Sequence, residues 1–200
     1  MKNLISFKTT FVFASFMVAI LLAVPSCQNN QTKTEDSKDV AKDENKSKYN
    51  DSDKEKDAKF CVDAAEINLS QIELGKLAQS RSTNAEIKAM GKMMEEGHTA
   101  KLNELKVLAE KKQISIPTTL TQDGLDEVKK LNDENAKNFD KEYCDMMVSG
   151  HKKAIDKFEK AADNCVDADV KTWAANTLTD LRKHLDHAIM CQDNVKKMKK

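Results

Sequence analysis

From about Ala58 onward apolar residues return at every third or fourth position, and that period predicts four long amphipathic helices. The first runs from about Asp57 to Arg81, with Phe60, Ala64, Ile67, Leu74 and Ala78 on one stripe. Thr83-Asn84-Ala85-Glu86 then reads as a capping box that opens the second helix. Its stripe is Ile87, Met90, Met94, His98, Leu102, Leu105 and Ala109, and it stops before Pro117. A polar connection with a short helix near Leu125–Leu131 leads to the third helix, from about Asn135 to Asp163, edged by Phe139, Tyr143, Met147, His151, Ala154, Phe158 and Ala161. Asp167 caps the fourth, whose stripe is Val170, Ala174, Thr177, Leu181, His184, Ala188, Cys191 and Val195. Strand signals are absent and prolines number two. The expectation is an all-α fold: an up-down-up-down four-helix bundle over residues 58–200, with helices of roughly 25 residues, about 37 Å each. Gly75, Gly91, Gly97 and Gly150 fall inside helical patterns, where close helix crossing is the expected compensation.

The period is missing before Asp57. Residues from Gln28 to Asp57 are Asn, Gln, Ser, Lys, Asp and Glu with almost nothing apolar, which predicts a flexible polar tether over 27–57, its ends about 30 Å apart on average. Ahead of it, Lys2 and Lys8 precede an apolar run, Phe11–Val24, too short and too abruptly ended for a stable span, so residues 1–26 read as a secretory signal peptide. Val24-Pro25-Ser26-Cys27 resembles the bacterial lipobox, which predicts a lipoprotein: Cys27 becomes the acylated N-terminus, and several palmitate-like chains give a stable membrane anchor. Gln28 is not the Asp that retains many lipoproteins at the inner membrane, which favours the outer membrane.

Charge removes some function classes. The chain carries 33 basic and 33 acidic residues, and nothing in that balance attracts nucleic acid. Lys196, Lys197, Lys199 and Lys200 form a basic tail that reads as a solvated helix end. Gly-rich phosphate loops, nucleophile elbows and Cys-x-x-Cys pairs are absent. Export would put Cys61, Cys144, Cys165 and Cys191 in oxidising surroundings. In the up-down-up-down order Cys61 and Cys191 share one end of the bundle, which predicts a disulfide between them. Four free thiols is the alternative.

Glu73-Leu74-Gly75-Lys76-Leu77-Ala78, His98-Thr99 with Leu102 and Leu105, Phe139-Asp140 with Tyr143 and His151, and Leu178-Thr179-Asp180-Leu181-Arg182-Lys183-His184-Leu185 carry a further signal. In these words the chain resembles a bacterial exported and lipoprotein family known as domain of unknown function 4142. That resemblance implies a ferritin-like fold and an envelope location. The family commonly has acids at the positions of Gln71 and Gly97, and a proline at that of Thr179, so two potential metal-binding carboxylates are missing.

Counted from their turns, His98, His151 and His184 come to similar heights on the inward stripes, near Glu66 on the first helix. Di-iron carboxylate sites use Glu-x-x-His on two helices; here only Glu95-Glu96-Gly97-His98 has that spacing. One metal held by His98, His151 and His184 with Glu66 or Glu95 fits the count, and zinc, iron or copper suits imidazole. A polar layer of hydrogen-bonded histidines is the competing reading, and His187 is expected to face outward. Two functions follow: a membrane-tethered, non-enzymatic stress or interaction module of the periplasm or outer membrane, or a metal-binding or metal-storing protein built on the histidine cluster. An enzyme with a histidine base is the third.

Overall fold

The chain folds wherever its polar and apolar positions find partners, and in this computed structural model, which describes residues 36–50 and 52–198, that gives six helices and no strand among the described residues. They are α1 (Ser37–Lys48), α2 (Ser52–Arg81), α3 (Ala85–Lys112), α4 (Gln122–Asn132), α5 (Ala136–Asn164) and α6 (Ala168–Met198). The signal segment, Cys27, the first part of the tether, Lys199 and Lys200 lie outside the described residues.

Residues 37–48, expected in the flexible tether, are helical, which corrects that expectation. The segment docks through polar complementarity rather than apolar area. Asp36 caps α1 by accepting from the Lys38 N–H at 2.7 Å, and its other oxygen accepts from the Gln122 N–H at the start of α4. Asn45, almost fully buried, donates to the Ser115 carbonyl at 2.7 Å and accepts from the Ser115 N–H at 2.8 Å. Lys38 pairs with Glu66 at 2.7 Å, and the Tyr49 hydroxyl donates to the Lys112 carbonyl. A reading that weighs apolar periodicity cannot register such a helix.

The four predicted helices appear as α2, α3, α5 and α6, with the short one as α4. Asp167 opens α6 as expected, accepting from the N–H groups of Asp169 and Val170. At α3 the cap is Asn84, which accepts from the Glu86 N–H, so the capping box on Thr83 is replaced by a shorter Asx cap. The predicted stripes face inward almost residue for residue, although Ile67 and Cys191 are only half-buried. Gly75 and Gly91 mark where α2 and α3 cross: a Cβ added at Gly75 would stand 2.6 Å from the Gly91 carbonyl oxygen, and one at Gly91 would stand 2.7 Å from that of Gly75.

Helix direction departs from up-down-up-down. Lys112 and Lys111 at the end of α3 pair with Asp167 and Asp169 at the start of α6. Lys157 pairs with Asp63, and Ser82 donates to Asp140, so α5 runs antiparallel to α2. Around the bundle each long helix is therefore antiparallel to the two it packs on, in the order α2, α3, α6, α5, while α3 and α5 run parallel. Successive helices can be parallel only if the chain returns the full length between them. Residues 113–135 make that return: Ser115 and Thr119 bond Asn45 and Ser37 of α1, and α4 then lies along the second half of α2, from Thr121 donating to Glu66 to Arg81 donating to the Asn132 carbonyl.

The return also corrects the cysteine expectation. All four thiols are free; Cys61 packs in one apolar cluster with Cys165, and Cys191 packs against the other, which contains Cys144. With α2 and α6 parallel, Cys61 and Cys191 sit at opposite ends and no bond joins them. Burial pushes the Cys144 and Cys165 thiols up to about 12, and Cys61 further still.

Candidate metal centre

The core is not continuous. One apolar cluster is built from residues such as Phe60, Leu105, Phe158, Trp173 and Leu181, the other from Leu74, Met94, Phe139, Met147 and Ala188. Between them lie buried polar residues from each long helix, among them Asn68 from α2, His98 from α3, His151 from α5 and His184 from α6. The helical repeat puts each histidine one turn from apolar residues of both clusters, as His98 lies between Met94 and Leu102.

The three imidazoles form a near-equilateral triangle, with ring centroids 5.4 Å apart for His98 and His151, 5.1 Å for His98 and His184, and 5.5 Å for His151 and His184. One ring nitrogen from each lies within 4.8 Å of the others. Two of the rings have their tautomers set by the helices around them. Asn68 donates through Nδ2 to the Ala64 carbonyl at 2.8 Å, which turns its Oδ1 toward His98 Nδ1, 2.9 Å away. That oxygen only accepts, so His98 carries its proton on Nδ1. His151 Nδ1 donates to the Met147 carbonyl at 2.8 Å. In both neutral rings Nε2 is then a bare lone pair, and these two nitrogens face each other at 3.3 Å.

A proton between them would require an imidazolium. Burial opposes it: His98 is held well below the usual histidine range, first by desolvation and then by its two neighbours, and His151 is also lowered by burial despite the Met147 carbonyl. His184 is lowered to about 4, chiefly by burial. Its Nδ1 is buried and has no hydrogen-bond partner. The arrangement thus presents two unprotonated Nε2 atoms, from His98 and His151, facing each other, with the buried ring of His184 beside them. Ligand nitrogens about 2.0–2.1 Å from a tetrahedral zinc stand about 3.3–3.4 Å apart, which is the His98–His151 spacing.

The two expected carboxylates are elsewhere. Glu66 accepts from Lys38 and from Thr121, tying α1 and α4 to α2. Glu95 accepts from Gln79 Nε2 at 2.6 Å. Neither belongs to the histidine group, so the three histidines come together as expected and the carboxylates do not. His187 is exposed, as its position on α6 predicts. Asn68 is the residue the sequence reading missed. Ala64, Asn68, Gln71, Gly75 and Ala78 repeat at spacings of four and three, and that register, followed strictly, carries Asn68 rather than Ile67 to the inward face.

Described residues that form helices without strands, with three buried histidines at their waist, define a class, and comparison with family models gives that class a name. Residues 42–190, from within α1 to near the end of α6, match the family described as Domain of unknown function (DUF4142), and the chain belongs to it. No curated protein and no solved structure matches the chain. Among the described residues no helix is long and apolar enough to cross a membrane.

Proposed function

We propose that this protein binds one transition-metal ion through His98, His151 and His184, within a ferritin-like bundle held by a lipid anchor in the bacterial cell envelope. The observation that carries the metal reading is the pair of Nε2 lone pairs facing each other at 3.3 Å, each ring locked in that tautomer from behind. Two bare lone pairs at that distance repel, and a bound cation turns the repulsion into two coordinate bonds. Metal-binding imidazoles regularly donate their second nitrogen to a carbonyl or similar acceptor, as His98 and His151 do. The ferritin-like assignment is supported by the single long crossover between α3 and α5.

We read the ion as held by the three imidazoles alone, since no carboxylate or thiol among the described residues joins them. An interaction module has less to rest on: the exposed large apolar side chains among the described residues, Val40, Val107, Leu125, Val166, Ile189 and Met190, come from five separate segments. The anchor reading rests on residues 11–27 of the sequence. Cys27→Ser should abolish labelling by palmitate and move the protein from the membrane to the soluble fraction; continued labelling would refute the anchor.

Elemental analysis of protein purified without chelators, and again after dialysis against zinc or copper, tests the metal reading. About one ion per chain is expected, reduced to background in His98→Ala. Background metal in the unaltered protein after both treatments would end the proposal.

A further inference from the structure

We infer that the missing side chain at Gly97 determines the specificity of this centre, by admitting His184 as a third neutral nitrogen and so selecting imidazole-seeking ions over oxygen-seeking ones. The inference rests on the metal reading above and deepens it.

Gly97 directly precedes His98 and lies in the interior of α3. Glycine is the least favourable helix-interior residue after proline, so local preference does not account for it. The neighbour across α6 does. A Cβ built on Gly97 would stand 2.7 Å from His184 Cε1 and 2.8 Å from His184 Nε2, closer than real contacts allow. The ring has no easy retreat. His184 is buried, and Leu181 and Ala188, one turn to either side, are fixed in the two apolar clusters. A side chain at residue 97 therefore forces the third imidazole out of its present place beside His98 and His151.

The consequence is chemical. With His184 in place the ligand set is three uncharged nitrogens and no carboxylate. Zinc, cobalt(II) and copper take imidazole readily, whereas magnesium and manganese favour carboxylate, carbonyl and water oxygens. Three nitrogens also leave a tetrahedral ion one position for an exogenous ligand.

Cobalt(II) titration of the full chain, followed by absorption spectroscopy, tests this. The unaltered protein should take up one cobalt per chain with the intense bands of a four-coordinate ion. Zinc should displace it at equimolar concentration, and a large excess of manganese should not. Gly97→Ala should weaken cobalt binding about tenfold or more and lose the intense bands, with helix content unchanged.

The pair His184→Ala and Gly97→Ala/His184→Ala guards against a folding defect in Gly97→Ala. Once the ring is gone, alanine at 97 should no longer be harmful, so the double variant should melt no lower than His184→Ala and bind cobalt equally poorly. Cobalt affinity and spectrum unchanged in Gly97→Ala, a double variant that melts lower, or displacement by manganese would overturn the inference and leave the metal reading standing. Failure of the unaltered protein to bind cobalt or zinc would remove the metal reading itself.

Discussion

Three imidazoles buried in a helical core destabilise the metal-free protein as soon as the solution becomes acidic enough to charge them in the unfolded chain. The sign follows from the lowered values: the folded state keeps the rings neutral while the unfolded state binds protons from about pH 6.5 downward. Stability of the metal-free protein should therefore be full above pH 6.5 and fall steadily toward pH 4, by about 3 kcal/mol from His184 alone. Urea titrations across that range check it, and a flat profile would show that the rings are not held neutral. Asn68 acts through His98 rather than on the ion. Asn68→Ala should cost about 10–100-fold in zinc affinity, measured by competition with a chromophoric chelator, because His98 is then free to rotate or change tautomer. At this scale the histidines were legible because each occupies a core position of a helical stripe. Glu66 and Glu95 misled because height along a helix says nothing about which way a side chain points.

Helix α1 shows how an element can be built almost without apolar residues. Ala41 and Asn45 are its buried positions, and Asn45 holds the segment to Ser115 with two hydrogen bonds. Asn45→Ala should cost about 1–3 kcal/mol by urea denaturation, since it leaves the Ser115 backbone groups unpaired in a largely closed contact. A loss below about 0.5 kcal/mol would mean that α1 is not coupled to the rest. The α2–α3 crossing makes a harder demand, because backbone meets backbone there and no side chain can yield. Gly91→Ala should destabilise by about 1–3 kcal/mol although alanine is the better helix former; a stabilised variant would contradict the close approach. The long helices could be read from sequence because apolar spacing reports burial. Helix α1 could not, since its partners lie some 70 residues away in a loop and leave no periodic trace.

For the whole molecule, the sequence predicted the number of long helices and their inward faces but misjudged their direction. The error lies in residues 113–135, a stretch that looks like a loose connection and in fact carries the chain back, first beside α1 and then along the second half of α2 from Glu66 to Arg81. One consequence depends on that return: Cys61 and Cys191 separate to opposite ends, whereas the histidines, at mid-height on their helices, meet whichever way α5 and α6 run. Since the centre joins three of the four long helices, metal should stabilise the entire fold. At a free zinc concentration 100 times the dissociation constant the gain should be about 2.7 kcal/mol, visible as a rise in melting temperature that grows with zinc concentration. The most direct test of the central claim is X-ray absorption at the metal edge of the zinc-loaded protein. The first shell should be nitrogen at about 2.0–2.1 Å with the outer-shell scattering of three imidazole rings. A first shell dominated by carboxylate oxygen or by sulfur, or one without imidazole scattering, would contradict it.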